Sequence, residues 1–223
     1  MLLEEKSRLI MAGDSVTDCG RNRELPPCFW STWGDGYVHV VYSALLSFAP
    51  QKSIFVANAG ISGDTSAELL SRWDKDVMDL NPDYVSIMIG INDVWRHFDS
   101  CVRQAPLVSK EDFSANLHSI MDKTLNSKSH NVKKVFLLTP VMWELNKNDP
   151  MRAMKDEYDK VIESVAKDYN QVFVNCQKKA DKVLEYQSSY MFTMDRVHPN
   201  LPGHFIIAKA FLDSIGFNIN GPN

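Results

Sequence analysis

Short apolar runs bounded by Gly, Asn, Pro or Asp recur along the sequence, and they predict five β-strands. These runs cover residues 8–11, 54–57, 84–89, 135–139 and 172–175. They are almost continuously apolar rather than alternating, which is typical of strands in a parallel sheet whose two faces are both covered. The pattern therefore predicts a buried parallel sheet.

The segments between these runs carry apolar residues at the three- and four-residue spacing of amphipathic helices. The three stripes are Val38, Val41, Tyr42, Leu45 and Leu46; Phe113, Leu117, Ile120 and Met121; and Met151, Met154, Tyr158, Val161, Ile162 and Val165. Helix start signals agree with them, because Ser109 stands three residues before Asp112 and Asp149 is followed by Pro150. A last helix is predicted over residues 202–215.

Strands that alternate with helices in this way define an α/β protein, and the predicted architecture is a three-layer α/β/α sandwich around a five-stranded parallel sheet. The length of 223 residues suits one hydrophobic core, so we predict a single domain over residues 1–223. The least regular segment, residues 22–32, holds two prolines and Trp30 and is expected to shape a pocket wall.

Charge and composition exclude several classes of protein. Lys and Arg number 24 against 28 Asp and Glu, with no basic run, which argues against nucleic acid as a partner. The sequence shows no membrane-spanning run and no signal peptide, so we predict no membrane association and a cytoplasmic location. Cys19, Cys28, Cys101 and Cys176 are scattered without a CxxC pair and are predicted to be reduced thiols.

Polar clusters follow the predicted strands at the edge where an open parallel sheet binds its ligands. Gly13-Asp14-Ser15 follows the first strand, residues 58–65 (NAGISGDT) the second, residues 90–93 (GIND) the third, and residues 195–199 (DRVHP) lie beyond the fifth strand and its helix. Each cluster alone has a common structural explanation as a turn or a helix cap. Four of them in this order predict a catalytic site.

A serine hydroxyl needs a neighbouring base, and a neutral imidazole serves if a carboxylate fixes its tautomer. Ser15, His198 and Asp195 are the predicted nucleophile, base and orienting carboxylate, and a tight turn could bring Asp195 to His198. His97, close to Asn92 in sequence, is the one rival histidine that could line the pocket. A metal site built from Asp14, Asp195, His198 and His204 is a further alternative, although it lacks the spacing typical of zinc hydrolases.

Acyl transfer also requires donors directed at the oxygen that becomes negative in the tetrahedral intermediate. The backbone N–H groups of Ser15 and Gly63 and the side-chain amide of Asn92 are the predicted oxyanion hole. Trp95 and Arg96 are predicted to contact the substrate, since an indole offers a flat apolar face and a guanidinium binds hydroxyls. Asp14 is a third predicted substrate contact, and Trp30 and Trp33 are weaker candidates.

The blocks GDSVTDCGR, NAGISGDTS, IGINDVWR and DRVHPNLPGH resemble those of the SGNH hydrolases, also called the GDSL lipase/esterase family. The resemblance covers most of the chain and implies a flavodoxin-like SGNH hydrolase fold. It also implies the same roles for Ser15, Gly63, Asn92, His198 and Asp195. The sequence departs from the GDSL pattern only in having Val16 in place of leucine.

Within the family, the segments YVSIMIGINDVWR, DPMRAMKDEY and RVHPN resemble the intracellular bacterial acetylxylan esterases. This resemblance implies removal of acetyl groups from xylo-oligosaccharides or similar acylated sugars, no metal or other cofactor, and a homo-oligomer. Two alternatives stay open: a broader carboxylesterase, thioesterase or lysophospholipase of the same family, and an inactive module that binds acylated sugars.

Overall fold

Five parallel strands form one sheet in the computed structural model, which describes residues 1–99 and 106–220. The strands are β1 (Arg8–Gly13), β2 (Phe55–Gly60), β3 (Tyr84–Met88), β4 (Lys134–Leu138) and β5 (Val172–Val174). Every neighbouring pair is parallel. The predicted α/β class, strand number and strand direction are confirmed.

The strand order β2-β1-β3-β4-β5 reverses between β1 and β3. Gly13 at the end of β1 stands opposite Gly60 of β2 on one side and Met88 of β3 on the other. The loops that leave β1 and β3 diverge at such a reversal and open a crevice at the carboxyl edge of the sheet. This crevice receives the first three polar clusters predicted from the sequence.

The helices cover both faces of the sheet. They are α1 (Ser15–Asp18), α2 (Tyr37–Phe48), α3 (Ser66–Ser71), α4 (Trp73–Asp76), α5 (Ile91–Trp95), α6 (Lys110–Leu125), α7 (Pro150–Asp168), α8 (Cys176–Leu184) and α9 (Leu201–Ser214), with short 3₁₀ turns at Pro50–Lys52, Met78–Leu80 and Ser189–Met191. Side chains of α2, α8 and α9 share one apolar core, and those of α3 to α7 share the other. The three-layer arrangement is the predicted one.

Successive residues of each strand supply these two cores in turn, as the pleat requires. In β1, Leu9 and Met11 enter the core beneath α2 and α9, while Ile10 and Ala12 enter the opposite core. Both sets are fully buried, so the strand shows a continuous apolar run rather than an alternating one. Burial on both faces explains the sequence pattern from which the parallel sheet was predicted.

The predicted caps are present, since Asp149 accepts a hydrogen bond from the Arg152 N–H and Ser109 accepts one from the Asp112 N–H. The stripe on α2 is narrower than predicted, because Leu46 is exposed. β2 continues through Gly60, whereas the sequence pattern placed the loop from residue 58. The reason is Asn58, whose buried amide donates to the carbonyls of Thr17 and Trp33 and is thereby tolerated inside a strand.

Three of the four cysteines, Cys19, Cys28 and Cys176, are free thiols, and Cys101 lies outside the described residues. None of the helices in residues 1–99 and 106–220 combines the length and the apolar character needed to cross a membrane.

Candidate active site

Ser15 stands at the sharp turn between β1 and α1. The Asp14 side chain accepts the Val16 N–H and caps α1, which ends after one turn at Cys19 in a left-handed conformation. The half-buried Ser15 hydroxyl lies 2.8 Å from the Nε2 atom of His198. This contact joins the first strand to a residue 183 positions later in the chain, the approach that the sequence predicted.

The imidazole of His198 is linked in turn to Asp195, whose Oδ2 atom lies 2.6 Å from Nδ1. The other oxygen, Oδ1, accepts the backbone N–H groups of Val197 and His198 at 2.9 and 2.8 Å. Partial burial alone would raise the pKa of Asp195, but these hydrogen bonds and the His198 ring outweigh it and lower the pKa to about 2. Asp195 is therefore a carboxylate at any working pH, suited to fix the imidazole tautomer.

Two backbone donors lie on loops that are joined to each other. The Ile61 N–H donates to the Gly13 carbonyl at 3.0 Å and ties the loop after β2 to the turn that carries Ser15. Gly63 follows with φ +91°, a conformation that a residue with a Cβ rarely adopts. Within residues 1–99 and 106–220, the N–H groups of Ser15 and Gly63 donate to no protein acceptor, so both are available to a ligand.

The Asn92 side chain is buried at the start of α5, and its position is fixed from both ends. Its Nδ2 donates to the Asp64 carbonyl at 2.9 Å, and its Oδ1 accepts from Nη2 of Arg96 at 3.1 Å. The second N–H of the amide remains for another acceptor. Arg96 also donates to Asp99 at 2.6 Å, and its side chain is 13 % exposed. In this structure the guanidinium orients Asn92, and the contact of Arg96 with substrate stays a prediction.

Arg72 joins the loops that carry these donors. Its Nη2 donates to the Gly13 carbonyl at 3.1 Å, its Nη1 to the Ala59 carbonyl at 2.8 Å and its Nε to the Asp64 carboxylate at 2.6 Å. One guanidinium thus fixes the ends of β1 and β2 and the residue after Gly63. The sequence did not reveal this role, since a lone arginine between two short helices carries no local signal.

Asp14 is 1 % exposed, and the prediction that its side chain contacts substrate is wrong. One oxygen caps α1, and the other, Oδ2, is buried without a hydrogen-bond partner among the described residues. Burial raises the pKa of Asp14 to about 7, with the Val16 N–H opposing and the charges of Asp93 and Asp64 adding to the rise. Burial likewise raises the pKa of Asp93 to about 6 against hydrogen bonds from Ser66.

The tryptophans differ in where they lie. The half-buried Trp95 ring lies 5.7 Å from that of His198, centroid to centroid, so it borders the catalytic imidazole. Trp33, a weaker candidate for a substrate contact, is buried in the core, where it stacks on Tyr42 and donates to the Val56 carbonyl. Trp30 is 89 % exposed in the loop after α1.

The rival histidines have other partners. His97 lies 3.2 Å from the Val108 carbonyl, and its contact is with that carbonyl rather than with Ser15. His204 is buried, accepts the Tyr37 N–H at Nδ1, and lies 3.3 Å from the Cys19 sulfur at Nε2. Burial and then the neighbouring His198 lower its pKa to about 4. In the part of the chain that the structure describes, no three His, Cys, Asp or Glu side chains form a group placed to hold a metal ion.

A serine hydroxyl bonded to an imidazole, a carboxylate behind that imidazole, and free N–H donors on the adjoining loops form the arrangement that acyl transfer requires. The sequence model of the GDSL-like lipase/acylhydrolase family matches residues 11–206. The chain belongs to this family, and it is a carboxylic ester hydrolase.

Closer relatives are also known. The chain is 40 % identical to the acetylxylan esterase of Geobacillus stearothermophilus over 217 residues, which cover 97 % of each chain. The crystal structure of that enzyme superposes with a TM-score of 0.93 over 98 % of both chains. Further structures of the same enzyme are described as catalytic mutants of a serine, a histidine and an aspartate. An α/β hydrolase from the metagenome of Lake Arreo, Spain, is 37 % identical with a TM-score of 0.92 over 97 % of this chain and 98 % of that one.

Proposed function

We propose that this protein removes acetyl groups from acetylated sugars such as xylo-oligosaccharides. The observation that carries the proposal is the unbroken series of contacts from Ser15 through His198 to Asp195. It occurs in a chain that is 40 % identical, over nearly its whole length, to an acetylxylan esterase.

In the proposed mechanism, the Ser15 oxygen attacks the acetyl carbonyl carbon while its proton passes to Nε2 of His198. The carbonyl electron pair moves onto oxygen, where the Ser15 and Gly63 N–H groups and the Asn92 amide stabilise the negative charge. Asp195, ionised because of its lowered pKa, stabilises the imidazolium that forms.

Collapse of this intermediate breaks the bond to the sugar oxygen, which takes the proton from His198 and leaves acetylated Ser15. A water molecule then attacks the acyl carbon and gives a proton to His198. The second collapse breaks the bond to Ser15, returns the proton to its oxygen and releases acetate. The same groups therefore serve both halves of the reaction.

Trp95 is the proposed sugar contact, because its ring borders that of His198 and is only partly buried. The leaving sugar oxygen must lie near Nε2 to receive its proton, so the sugar must pass this side of the imidazole. An indole face suits the apolar face of a pyranose.

The test measures acetate release from acetylated xylo-oligosaccharides and other acetylated sugars, together with hydrolysis of 4-nitrophenyl esters from acetyl to octanoyl. Acetyl groups should be removed fastest, and Ser15→Ala should lose nearly all turnover while its circular dichroism is unchanged. Rates that rise towards octanoyl would indicate a broad carboxylesterase instead. Failure of a fluorophosphonate to label Ser15 would indicate a binding module.

The homo-oligomeric state, the cytoplasmic location and the single domain over residues 1–223 belong to the same proposal. An apolar groove of about 950 Å³ between α2 and α9, bordered by the exposed Phe48, Phe205 and Ile219, supports self-association. Light scattering should give a multiple of the 25.4 kDa chain mass, and a monomer would contradict this part of the proposal.

A further inference from the structure

The turn from Asp195 to His198 depends on the backbone conformation of Arg196. The chain reverses at Arg196, which has φ +68°. This reversal lets the Asp195 carboxylate accept the N–H groups of Val197 and His198. Left-handed backbone is unfavourable for a residue with a Cβ, and glycine adopts it freely. An arginine at this position therefore indicates that its other contacts offset the strain.

Those contacts all lead to one segment, residues 143–149, which follows β4. The Arg196 carbonyl accepts the Trp143 N–H at 2.8 Å. Its Nη1 donates to Asp149 Oδ2 at 2.9 Å and lies 3.5 Å from Glu144 Oε2. Main chain and side chain of the same residue thus attach the catalytic turn to this segment.

The segment is itself fixed in the interior. Immediately before the segment, Gln177 of α8 accepts the Met142 N–H and donates to the Met142 carbonyl. Within it, Arg152 of α7 donates to the Glu144 carbonyl. Gln177 and Arg152 are 3 % and 2 % exposed. Arg196 therefore connects an exposed turn to a buried hydrogen-bond network that includes neither Ser15 nor its oxyanion donors.

We infer that Arg196, paired with Asp149, is a positioning residue for catalysis: it holds Asp195 and His198 in the orientation that lets Nε2 reach Ser15. The inference rests on the proposed esterase function. The Arg196 and Asp149 side chains are 44 % and 21 % exposed, so dissolved ions screen their attraction. The conformation of the turn, and therefore the kcat, should depend on ionic strength.

The experiment compares Arg196→Gly with the wild type on 4-nitrophenyl acetate. Glycine accepts the left-handed backbone but lacks the guanidinium, so the melting temperature should stay or rise. The kcat should fall by about 3- to 10-fold with KM within 2-fold, an effect in the range of a partly exposed ion pair. Asp149→Asn keeps the Oδ1 acceptor that caps α7 and should lower kcat equally. The double variant should be no worse than either single one.

A matched control is Asp213→Asn, which removes the exposed ion pairs that Asp213, in the last turn of α9, makes with Lys179 and Lys209. It should leave kcat unchanged. Salt at 0.5 M should lower the wild-type kcat towards that of Arg196→Gly and leave that variant unaffected. An active wild type with an equally active Arg196→Gly would overturn the inference alone, whereas an inactive wild type would overturn the proposed function as well.

Discussion

The two sides of the catalytic centre meet at Ser15 and are held in place differently. On one side, Asn92 and Asp64 are 3 % and 8 % exposed. The Asn92 amide and the Arg72 guanidinium both donate to Asp64 and so fix the loop that carries the proposed oxyanion donors. On the other side, the His198 and Asp195 side chains are 45 % and 40 % exposed on a turn. One side is part of the core, and the other lies on the surface.

This difference predicts different consequences of mutation. Removing a buried donor leaves its former partners buried and unsatisfied, so activity and stability should fall together. Changing the exposed turn leaves groups that water can solvate, so activity should fall while the fold remains. The same distinction separates the two arginines, because Arg72 is 12 % exposed and Arg196 is 44 % exposed.

With Ser15 kept in place, the largest loss of activity is expected for Asp195→Asn. The Asn amide would donate to Nδ1 of His198, which then carries its proton on Nε2 and cannot accept one from Ser15. Such a tautomer error costs up to about 10⁴ in kcat. Because the Asn carbonyl still accepts the Val197 and His198 N–H groups, the melting temperature should stay within a few degrees of wild type. A large drop in stability would contradict the surface character of this side.

Asn92→Ala should give the next largest loss, about 10²- to 10³-fold in kcat with little change in KM. The substitution also deprives the Asp64 carbonyl and Arg96 of a partner, which should destabilise the protein by about 1–3 kcal/mol. Asn92→Asp tests the donor itself, since the shape is kept but the group can only accept and carries negative charge. Turnover in Asn92→Asp above that of Asn92→Ala would contradict the oxyanion role.

Arg72→Lys should reduce kcat by about 10- to 10²-fold, because a single ammonium cannot hold the Gly13 and Ala59 carbonyls and the Asp64 carboxylate together. Melting temperature should also fall by several degrees. The matched control is Asp76→Asn, which removes only the weakest arm of Arg72, a 3.3 Å contact, and should behave as wild type. Equal kcat for Arg72→Lys and wild type would separate Arg72 from catalysis.

The sequence predicted the sheet because both faces are buried, which makes the strands nearly continuous apolar runs. The sequence also predicted that Ser15 and His198 meet, because the polar clusters that follow parallel strands lie at the carboxyl edge of the sheet. It could not show that Asp14 and Arg96 turn inwards, since a charged side chain in a loop has no periodicity that reports burial. The roles of Arg72 and Arg196 arise from contacts between distant segments, and a single sequence does not record which carbonyl an arginine reaches.

The smallest effect on activity is expected for Asp14→Asn, a change that acts on stability and its dependence on pH. Unfolded Asp14 ionises near its ordinary pKa of 3.8, whereas the folded protein keeps the proton to about pH 7. Between these values the folded state binds more protons, so this group's contribution to stability is complete below pH 4 and is lost as pH rises to 7.

Asn does not titrate and retains the acceptor that caps α1. The stability of Asp14→Asn should therefore not show the fall between pH 4 and pH 7 that Asp14 causes in the wild type. The variant should match wild type near pH 4 and exceed it by on the order of 2 kcal/mol at pH 8, several degrees in melting temperature. Asp14→Ala removes the cap as well, so its melting temperature should be lower than that of Asp14→Asn by the same amount at every pH. If thermal melts from pH 4 to 8 gave Asp14→Asn the same slope as wild type, the buried carboxyl would be ionised in the folded protein. The core side of the centre would then hold a negative charge that, among hydrogen bonds from the described residues, only the Val16 N–H to Oδ1 of Asp14 opposes.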